Sequence, residues 1–268
     1  MPSNFPPTMS LRVSILGSGS SGNCTYVASE QTALLIDAGL SAREIGRRLE
    51  IVGARLDQVR GVCVSHEHGD HTQGLRVLHQ RAGIPLYANG GTIEALRRNP
   101  EFEPLRWQQF TTGAPFVIGD LTVEPFSVPH DAFEPVGFVI ACGASRVGVV
   151  TDMGMATTLI RERLRQCRLV VVESNHDEQM LQEAERPWHL KQRIRGRQGH
   201  LSNQGAATML AEIAGPQLHQ VYLAHLSADC NHPDLARQTA HDMLLKAGHT
   251  HINVSVTYPD RPTDIWAG

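Results

Sequence analysis

The sequence predicts an α/β protein of mixed type (α+β), built from many short strands with helices between them. Short apolar runs bounded by turn residues recur along all 268 residues, helical patterns separate them, and 41% of the residues are hydrophobic, which is enough for a sizeable core. We predict strands at residues 11–17, 24–29, 32–37, 61–65, 84–88, 114–118, 121–128, 136–142, 145–151, 168–173, 219–224 and 251–256. Helices are predicted at 41–52, 72–82, 91–98, 155–166, 176–183, 202–214 and 233–247.

Local signals fix several of these elements. The runs 24–29 and 32–37 are rich in strand-forming residues and lie about one turn apart, which indicates a hairpin. Ser41 and Glu44 form a capping box that begins the first helix. Gly83 and Gly248 follow helical patterns at the positions where carboxyl-terminal caps belong.

One domain is expected over residues 11–268, because no linker divides the chain. Residues 1–10 contain three prolines and no apolar signal region, so we expect a disordered lead-in. No apolar run approaches the ~20 residues of a membrane span. The five cysteines are scattered without a Cys-x-x-Cys pair, which predicts reduced thiols in a cytoplasmic protein. Oligomeric state is left open.

The strongest functional signal is a cluster of His66, His68, Asp70 and His71 directly after an apolar strand. His66 and His68 lie two apart on an extended segment, so they point the same way and can hold one ion. Asp70 and His71 follow the turn at Gly69 and can face a second ion, roughly 3.5–4 Å from the first in a two-metal site. A solvated polar turn is the alternative, but it does not explain so many nitrogen and oxygen ligands in one short loop.

A two-metal site needs more ligands, and three further residues stand where strands end. His130, Asp152 and His225 each follow an apolar, strand-like run. Each alone has an ordinary explanation: His130 as a loop residue, Asp152 as a helix N-cap, His225 as a core imidazole. Their joint occurrence at the same kind of place favours a metal site.

These motifs, in this order, resemble those of the metallo-β-lactamase superfamily. Further motifs resemble its YycJ-like branch, whose members are related to the tRNA-processing endonuclease RNase Z and act as metal-dependent nucleases, with 5′→3′ exonuclease activity on DNA. These motifs are Gly17–Cys24, Leu35–Leu40, Glu173–Asp177, Gly199–Asn203 and Leu223–Ser227.

The resemblance implies a four-layer αββα sandwich, in which the strand-end residues meet at one edge. It also implies two divalent ions, zinc or manganese, and a hydroxide held between them that attacks phosphorus. The implied ligands of the first ion are His66, His68 and His130. Those of the second are Asp70, His71 and His225, with Asp152 bridging both.

Two residues are implied to act on the proton of the leaving group. By motif, Glu173 and His200 match the proton-donating pair of RNase Z-like enzymes, with His200 as the donor and Glu173 raising its pKa. Asp70 is implied to orient the attacking water. Asp37 is expected to orient a ligand histidine from behind.

Only one segment of the chain has the positive charge expected of a surface that binds nucleic acid. The net charge of −3 makes no general case for it, but the segment from Arg186 to Arg197, here called the basic segment, carries five fixed positive charges, one tryptophan and one histidine. Such a segment can follow a phosphate backbone and stack on a base, and a solvated helix end is the alternative. The expected substrate contacts are Asn23, Lys191, Arg193, Arg195 and Arg197.

Three alternatives compete with a DNA exonuclease. The same fold could serve a small-molecule hydrolase, such as a thioesterase, a lactonase or a cyclic phosphodiesterase. A non-catalytic nucleic-acid-binding protein is less compatible with the full ligand set. A dinucleotide fingerprint is formally present at Gly17, Gly19 and Gly22, but it requires a helix to follow, whereas strand-forming residues follow.

Overall fold

The computed structural model describes residues 10–268, so the predicted lead-in lies outside the described residues except for Ser10. The strands in this range are β1 (Arg12–Gly17), β2 (Cys24–Ala28), β3 (Ala33–Ile36), β4 (Val59–Cys63), β5 (Leu86–Ala88), β6 (Trp107–Gln109), β7 (Phe116–Ile118), β8 (Leu121–Ser127), β9 (Val136–Cys142), β10 (Ser145–Val150), β11 (Leu169–Glu173), β12 (Gln220–Ala224), β13 (Asn253–Val256) and β14 (Trp266–Ala267). The helices are α1 (Ala42–Ile51), α2 (Gly69–Thr72), α3 (Leu75–Ala82), α4 (Gly90–Arg97), α5 (Thr158–Leu164), α6 (Glu178–Glu183), α7 (Trp188–Arg195), α8 (Asn203–Ile213) and α9 (Pro233–Lys246).

The strands form two sheets of seven with the same internal plan. The first has the order β14-β1-β2-β3-β4-β5-β6 and the second β13-β12-β11-β10-β9-β8-β7. In the first sheet, β14, β1, β2 and β3 pair antiparallel, and β3 to β6 pair parallel. In the second, β7 to β10 pair antiparallel, and β10 to β13 pair parallel.

Three apolar cores separate four layers. Residues such as Val13 of β1 and Phe138 of β9 meet between the two sheets. On the outer face of the first sheet, Leu49 of α1 packs in a second core that also includes residues of α3 and α4. On the outer face of the second sheet, residues of α5, α8 and α9 form the third core. The architecture is therefore the predicted four-layer αββα sandwich.

Most predicted elements are confirmed, and the differences lie at short or exposed segments. Ser41 accepts a hydrogen bond from the backbone N–H of Glu44, and Gly83 adopts a left-handed φ of 67° after α3. Residues 24–28 form a strand paired with β3, so the expected hairpin is confirmed and the helix of a dinucleotide site is absent there. The sequence analysis missed β6, β14 and α7. It also predicted one helix at 72–82, where α2 and α3 are separate. The division into a single domain stays a prediction.

None of the helices in residues 10–268 is both long and apolar enough to cross a membrane.

Candidate metal centre

The strands bring the predicted ligands to one edge of the sandwich. The residues after β4, β8, β10 and β12 converge there, and β3 ends just before Asp37. Asp37, Asp152 and His225 have φ values of 62°, 53° and 55°, and no other non-glycine residue in the described range has a positive φ. Such backbone conformations cost about 1–3 kcal/mol each and are typical of functional sites. They turn three side chains into the site as the strands end.

A first group of possible ligands consists of three histidines. The Nε2 of His66 lies 3.0 Å from the Nδ1 of His68, and the Nε2 of His130 lies 3.3 Å from the same atom. Burial, followed by the charge of His71, lowers the pKa of His66 well below its usual value, and burial also lowers the pKa of His130. Neutral imidazoles are the form that binds a metal.

A second group adjoins the first and combines two carboxylates with two imidazoles. The Nε2 of His71 lies 3.1 Å from Asp152 and 3.5 Å from Asp70, and the Nε2 of His225 lies 3.4 Å from Asp70. Asp152 also lies 3.8 Å from the Nε2 of His130, so it stands between the groups, as a bridging ligand would. The structure thus brings together all seven predicted ligand residues.

In four of these histidines the Nδ1 atom contacts an oxygen. The Nδ1 of His66 lies 2.9 Å from the hydroxyl of Ser65, and the Nδ1 of His71 lies 2.8 Å from Asp37, which confirms the contact expected of Asp37. The other two contacts join His130 to the carbonyl of Gly199 and His225 to Glu173. Oxygen partners of this kind fix the tautomer and leave Nε2 free for an ion.

The donor set fits two divalent cations. Asp152 is buried, and its Oδ2 makes no hydrogen bond of good geometry although it lies 3.1 Å from the Nε2 of His71; a buried carboxylate so placed is costly unless a cation satisfies it. Burial opposes ionisation of Asp152, but the neighbouring histidines outweigh it and hold its pKa well below the usual range. The same balance lowers the pKa of Asp70, through His225 and His71. Both carboxylates are therefore available as anionic ligands at neutral pH.

Carboxylates raise the pKa of three site histidines. Burial is the largest single effect on the pKa of each and opposes the charge, but the nearby carboxylates together outweigh it. These carboxylates are Asp152 and Asp37 at His71, Asp152, Asp70 and Glu173 at His225, and Glu173 and Asp152 at His200. The pKa of His225 rises to about 10. We call His71, His200 and His225 the raised-pKa histidines. Burial lowers the pKa of three other histidines, and we call them the lowered-pKa histidines: His66, His130 and His176.

Glu173 connects the second group to His200. Its Oε1 lies 2.8 Å from the Nδ1 of His200 and 2.8 Å from the Nδ1 of His225. Its Oε2 accepts backbone N–H bonds from Met153 and Leu201. All four acceptor positions are therefore used, so Glu173 serves as a hydrogen-bonding centre and His200 keeps its Nε2 free.

The loop at Asn23 supports the second group from below. Asn23 is buried, and its amide contacts Asp70 at 3.1 Å, whereas Ser18 binds both Asn23 and the backbone N–H of His225. Asn23 was expected to contact substrate, but its side chain lies beneath Asp70 and not at an open surface. Gly39 permits this packing, since an added Cβ would lie 1.6 Å from the backbone oxygen of Asp70. Ser18 was not singled out from the sequence, where only its place in the glycine-rich motif marks it.

The basic segment forms a helix at the rim of the site. α7 is exposed, and its Arg193 binds Asp131, the neighbour of His130, at 2.6 Å. Lys191 and Arg195 donate to the backbone carbonyls of Gln182 and Glu178, and Arg197 is exposed. A small cavity of about 180 Å³ lies under this helix and is lined by Arg193 and His200, among others.

Comparison with known proteins agrees with this geometry. A family model described as β-lactamase superfamily domain matches residues 32–226. Exodeoxyribonuclease YycJ of Bacillus anthracis is 34% identical over 96% of this chain and 99% of its own length. The chain belongs to the metallo-β-lactamase superfamily. Exodeoxyribonuclease WalJ of Streptococcus pneumoniae, strain D39, is 32% identical over 95% of this chain and 97% of its own. With this membership and the ligand clusters, the chain is a metal-dependent hydrolase.

Solved structures show the same fold. The metallo-β-lactamase-fold protein YhfI from Bacillus subtilis has a TM-score of 0.72 at 17% identity, covering 97% of this chain and 100% of that one. Zinc-bound PqqB from Methylobacterium extorquens has a TM-score of 0.68 at 18% identity, covering 94% and 99%. At these identities the likeness shows the metallo-β-lactamase fold alone.

Proposed function

We propose that this superfamily member is a phosphodiesterase that degrades DNA as a 5′→3′ exonuclease with two zinc or manganese ions. The observation that carries the proposal is the contact of 2.8 Å between Glu173 and the Nδ1 of His200, directly beside the ligand groups. A phosphodiester releases an alkoxide, which needs a proton, whereas a thioester releases a thiolate, which hardly does. A positioned proton donor therefore favours phosphodiester cleavage over thioester hydrolysis.

Each group of ligand residues would hold one ion. His66, His68 and His130 would hold one ion, Asp70, His71 and His225 the other, and Asp152 both. When bound, two such ions supply a nucleophile from water at neutral pH and neutralise charge on the phosphate oxygens. Ligands without thiolate suit zinc or manganese.

The chain's own residues handle the protons. Glu173 contacts the Nδ1 of His200 and raises the pKa of the ring, which favours a proton on the free Nε2 that can pass to the leaving oxygen. Asp70 is ionised and lies at the edge of the second group, where its free lone pairs can orient the attacking water. Asp70 is only partly buried, so this edge of the site is open to water.

DNA is favoured as the substrate by the relatives and by the rim. The relatives from Bacillus anthracis and Streptococcus pneumoniae, which match 95% or more of this chain, are named exodeoxyribonucleases. The 5′→3′ direction is what the YycJ-like motifs imply. At the rim, Trp188 is 67% exposed on α7 beside the arginines of the basic segment, which suits stacking on an unpaired base. Cys24, Cys63, Cys167 and Cys230 are buried thiols outside any disulfide, as expected in a reducing cytoplasm, which we propose as the compartment.

The test is a metal-dependent nuclease assay. Protein stripped of metal and reloaded with zinc or manganese is given single- and double-stranded DNA with 5′-phosphate or 5′-hydroxyl ends, beside thioester, lactone and cyclic phosphodiester substrates. We expect metal-dependent release of mononucleotides from a 5′-labelled end. Hydrolysis of a thioester or lactone without cleavage of DNA would overturn the proposal and favour the small-molecule hydrolase.

A further inference from the structure

A large open cleft adjoins His200 and extends to Arg195 at the end of α7. Its volume is about 1070 Å³, and the residues that matter here are Met155, His176, Arg195, His200, Thr208 and Met209. We call it the His176 cleft. Sites for small ligands span roughly 300–1,000 Å³, so the cleft has room for a nucleotide and part of its neighbour.

His176 is the residue that marks this cleft as a binding site. It is only 2% exposed, and its Nδ1 is buried without a hydrogen-bond partner. An unpaired buried nitrogen destabilises a fold, so its presence calls for an explanation. Burial lowers the pKa of His176 to about 4, so the ring is neutral and can exchange hydrogen bonds with an uncharged base or sugar.

We propose that the His176 cleft binds the nucleotide on the leaving-group side of the scissile bond. This inference rests on the proposed function, in which His200 protonates the leaving oxygen. The nucleotide joined to that oxygen must begin within hydrogen-bonding distance of His200. Two cavities meet this condition, and the smaller, at about 180 Å³, falls below the size of a nucleotide site. A third cavity, of about 560 Å³, is lined by Asp70 and not by His200, and it is open to the remainder of the strand.

The lining predicts recognition of base and phosphate together. Met155 and Met209 offer apolar, polarisable surface for a base. Arg195 donates to the carbonyl of Glu178 and has no carboxylate partner among residues 10–268, so its guanidinium can bind a phosphate. The lining also carries the carboxylates of Glu178 and Glu183, so the cleft is not a general anion site. A nucleotide should therefore bind more tightly than inorganic phosphate.

The experiment measures binding of deoxyadenosine 5′-monophosphate and of inorganic phosphate to the metal-loaded protein by calorimetry. His176→Phe removes the unpaired nitrogen, and Thr208→Trp blocks the cleft from α8. Thr239→Trp is the matched control, because both threonines donate their hydroxyl to the carbonyl four residues earlier and Thr239 lies outside the cleft. His241→Phe, on the exposed face of α9, is the control for the histidine.

The nucleotide should bind at least about tenfold more tightly than phosphate in the wild type. Loss of one hydrogen bond in His176→Phe should weaken the nucleotide about 2- to 12-fold. Thr208→Trp should weaken it further, and neither variant should change phosphate affinity. The melting temperature of His176→Phe should be unchanged or higher, since an unpaired buried nitrogen is removed; a structural role would instead lower it.

Nucleotide affinity that is unchanged in both cleft variants would overturn the inference and place the nucleotide elsewhere, for instance in the smaller cavity. DNA cleavage by the same proteins is measured in parallel. If the cleft variants cleave DNA normally and keep their nucleotide affinity, the inference about the cleft is wrong and the proposed function stands. If the wild type shows no metal-dependent phosphodiester cleavage, the proposed function itself is wrong.

Discussion

Glu173→Gln tests the hydrogen-bonding centre of the site with almost no change in shape. The Glu173 carboxylate accepts four bonds, two from backbone N–H groups and two from the Nδ1 atoms of His200 and His225. A glutamine has one oxygen and one NH₂ group. With the amide oxygen towards the two backbone N–H groups, its NH₂ faces the two imidazoles, which must give up their Nδ1 protons to accept from it, so two charge-assisted bonds become neutral ones.

The magnitude follows from this count. Hydrogen bonds to charged groups contribute about 1.5–3 kcal/mol each and neutral ones about 0.5–1.5 kcal/mol, so weakening two should lower the free energy of unfolding by about 2–3 kcal/mol. That is a large part of the 5–15 kcal/mol typical of a folded protein. The pKa of His200 should also fall, because one of the carboxylates that together outweigh the effect of burial has become neutral.

Denaturant unfolding of the metal-free variant and NMR titration of His200 measure the two effects. Glu50→Gln, an exposed glutamate on α1, is the control and should change neither. A loss of stability below about 1 kcal/mol, or a His200 pKa equal to that of the wild type, would refute the assignment of Glu173 as this centre.

Three further predictions concern the metals, pH and the rim. Asp152→Ala should remove at least one of two bound ions, because the bridging carboxylate is lost; a variant that keeps two ions by elemental analysis would show that the bridge is assigned wrongly. Metal-free protein should be most stable near pH 6.5 in thermal melts. The raised-pKa histidines stabilise the fold fully below about pH 6.5, and this stabilisation is lost as the pH rises towards their pKa values in the folded protein. The lowered-pKa histidines stabilise the fold above about pH 6.5, and this stabilisation is lost as the pH falls. A melting temperature that rises steadily up to pH 9 would contradict this prediction. Neutralising Arg193, Arg195 and Arg197 together should flatten the salt dependence of duplex DNA binding by up to about 0.9 per lost contact, with little effect on bis-p-nitrophenyl phosphate turnover; an unchanged slope would favour a small substrate.

The sequence predicts which side chains converge at this edge, because each group of them follows a strand. Apolar runs that stop at His130, Asp152 and His225 mark strand ends, and parallel strands bring such ends to one edge of a sandwich. The residues that hold these side chains in place are harder to predict from the sequence. Ser18 binds the backbone of His225 across 207 positions of sequence, and no local pattern encodes so distant a contact.

The missed elements are short or weakly patterned. β6 and β14 are edge strands of three and two residues, too short to show an alternating pattern. α7 lacks a continuous apolar face, although Pro187 before it and the half-buried pair Leu190 and Ile194, four apart, could have indicated a helix. Asn23 is a predicted substrate contact, and its burial under Asp70 depends on how the sheets pack, which no local pattern encodes.

The leaving-group dependence of His200→Ala tests the central claim most directly. The variant and the control His189→Ala, at an exposed position on α7, are compared on DNA and on bis-p-nitrophenyl phosphate after both ions are confirmed by elemental analysis. We predict that His200→Ala slows DNA cleavage by roughly 10²–10⁴, the usual contribution of a positioned general acid, and slows the nitrophenyl ester far less, because nitrophenolate leaves without a proton. Equal losses on both substrates would contradict a proton-donating His200 and leave it a structural residue.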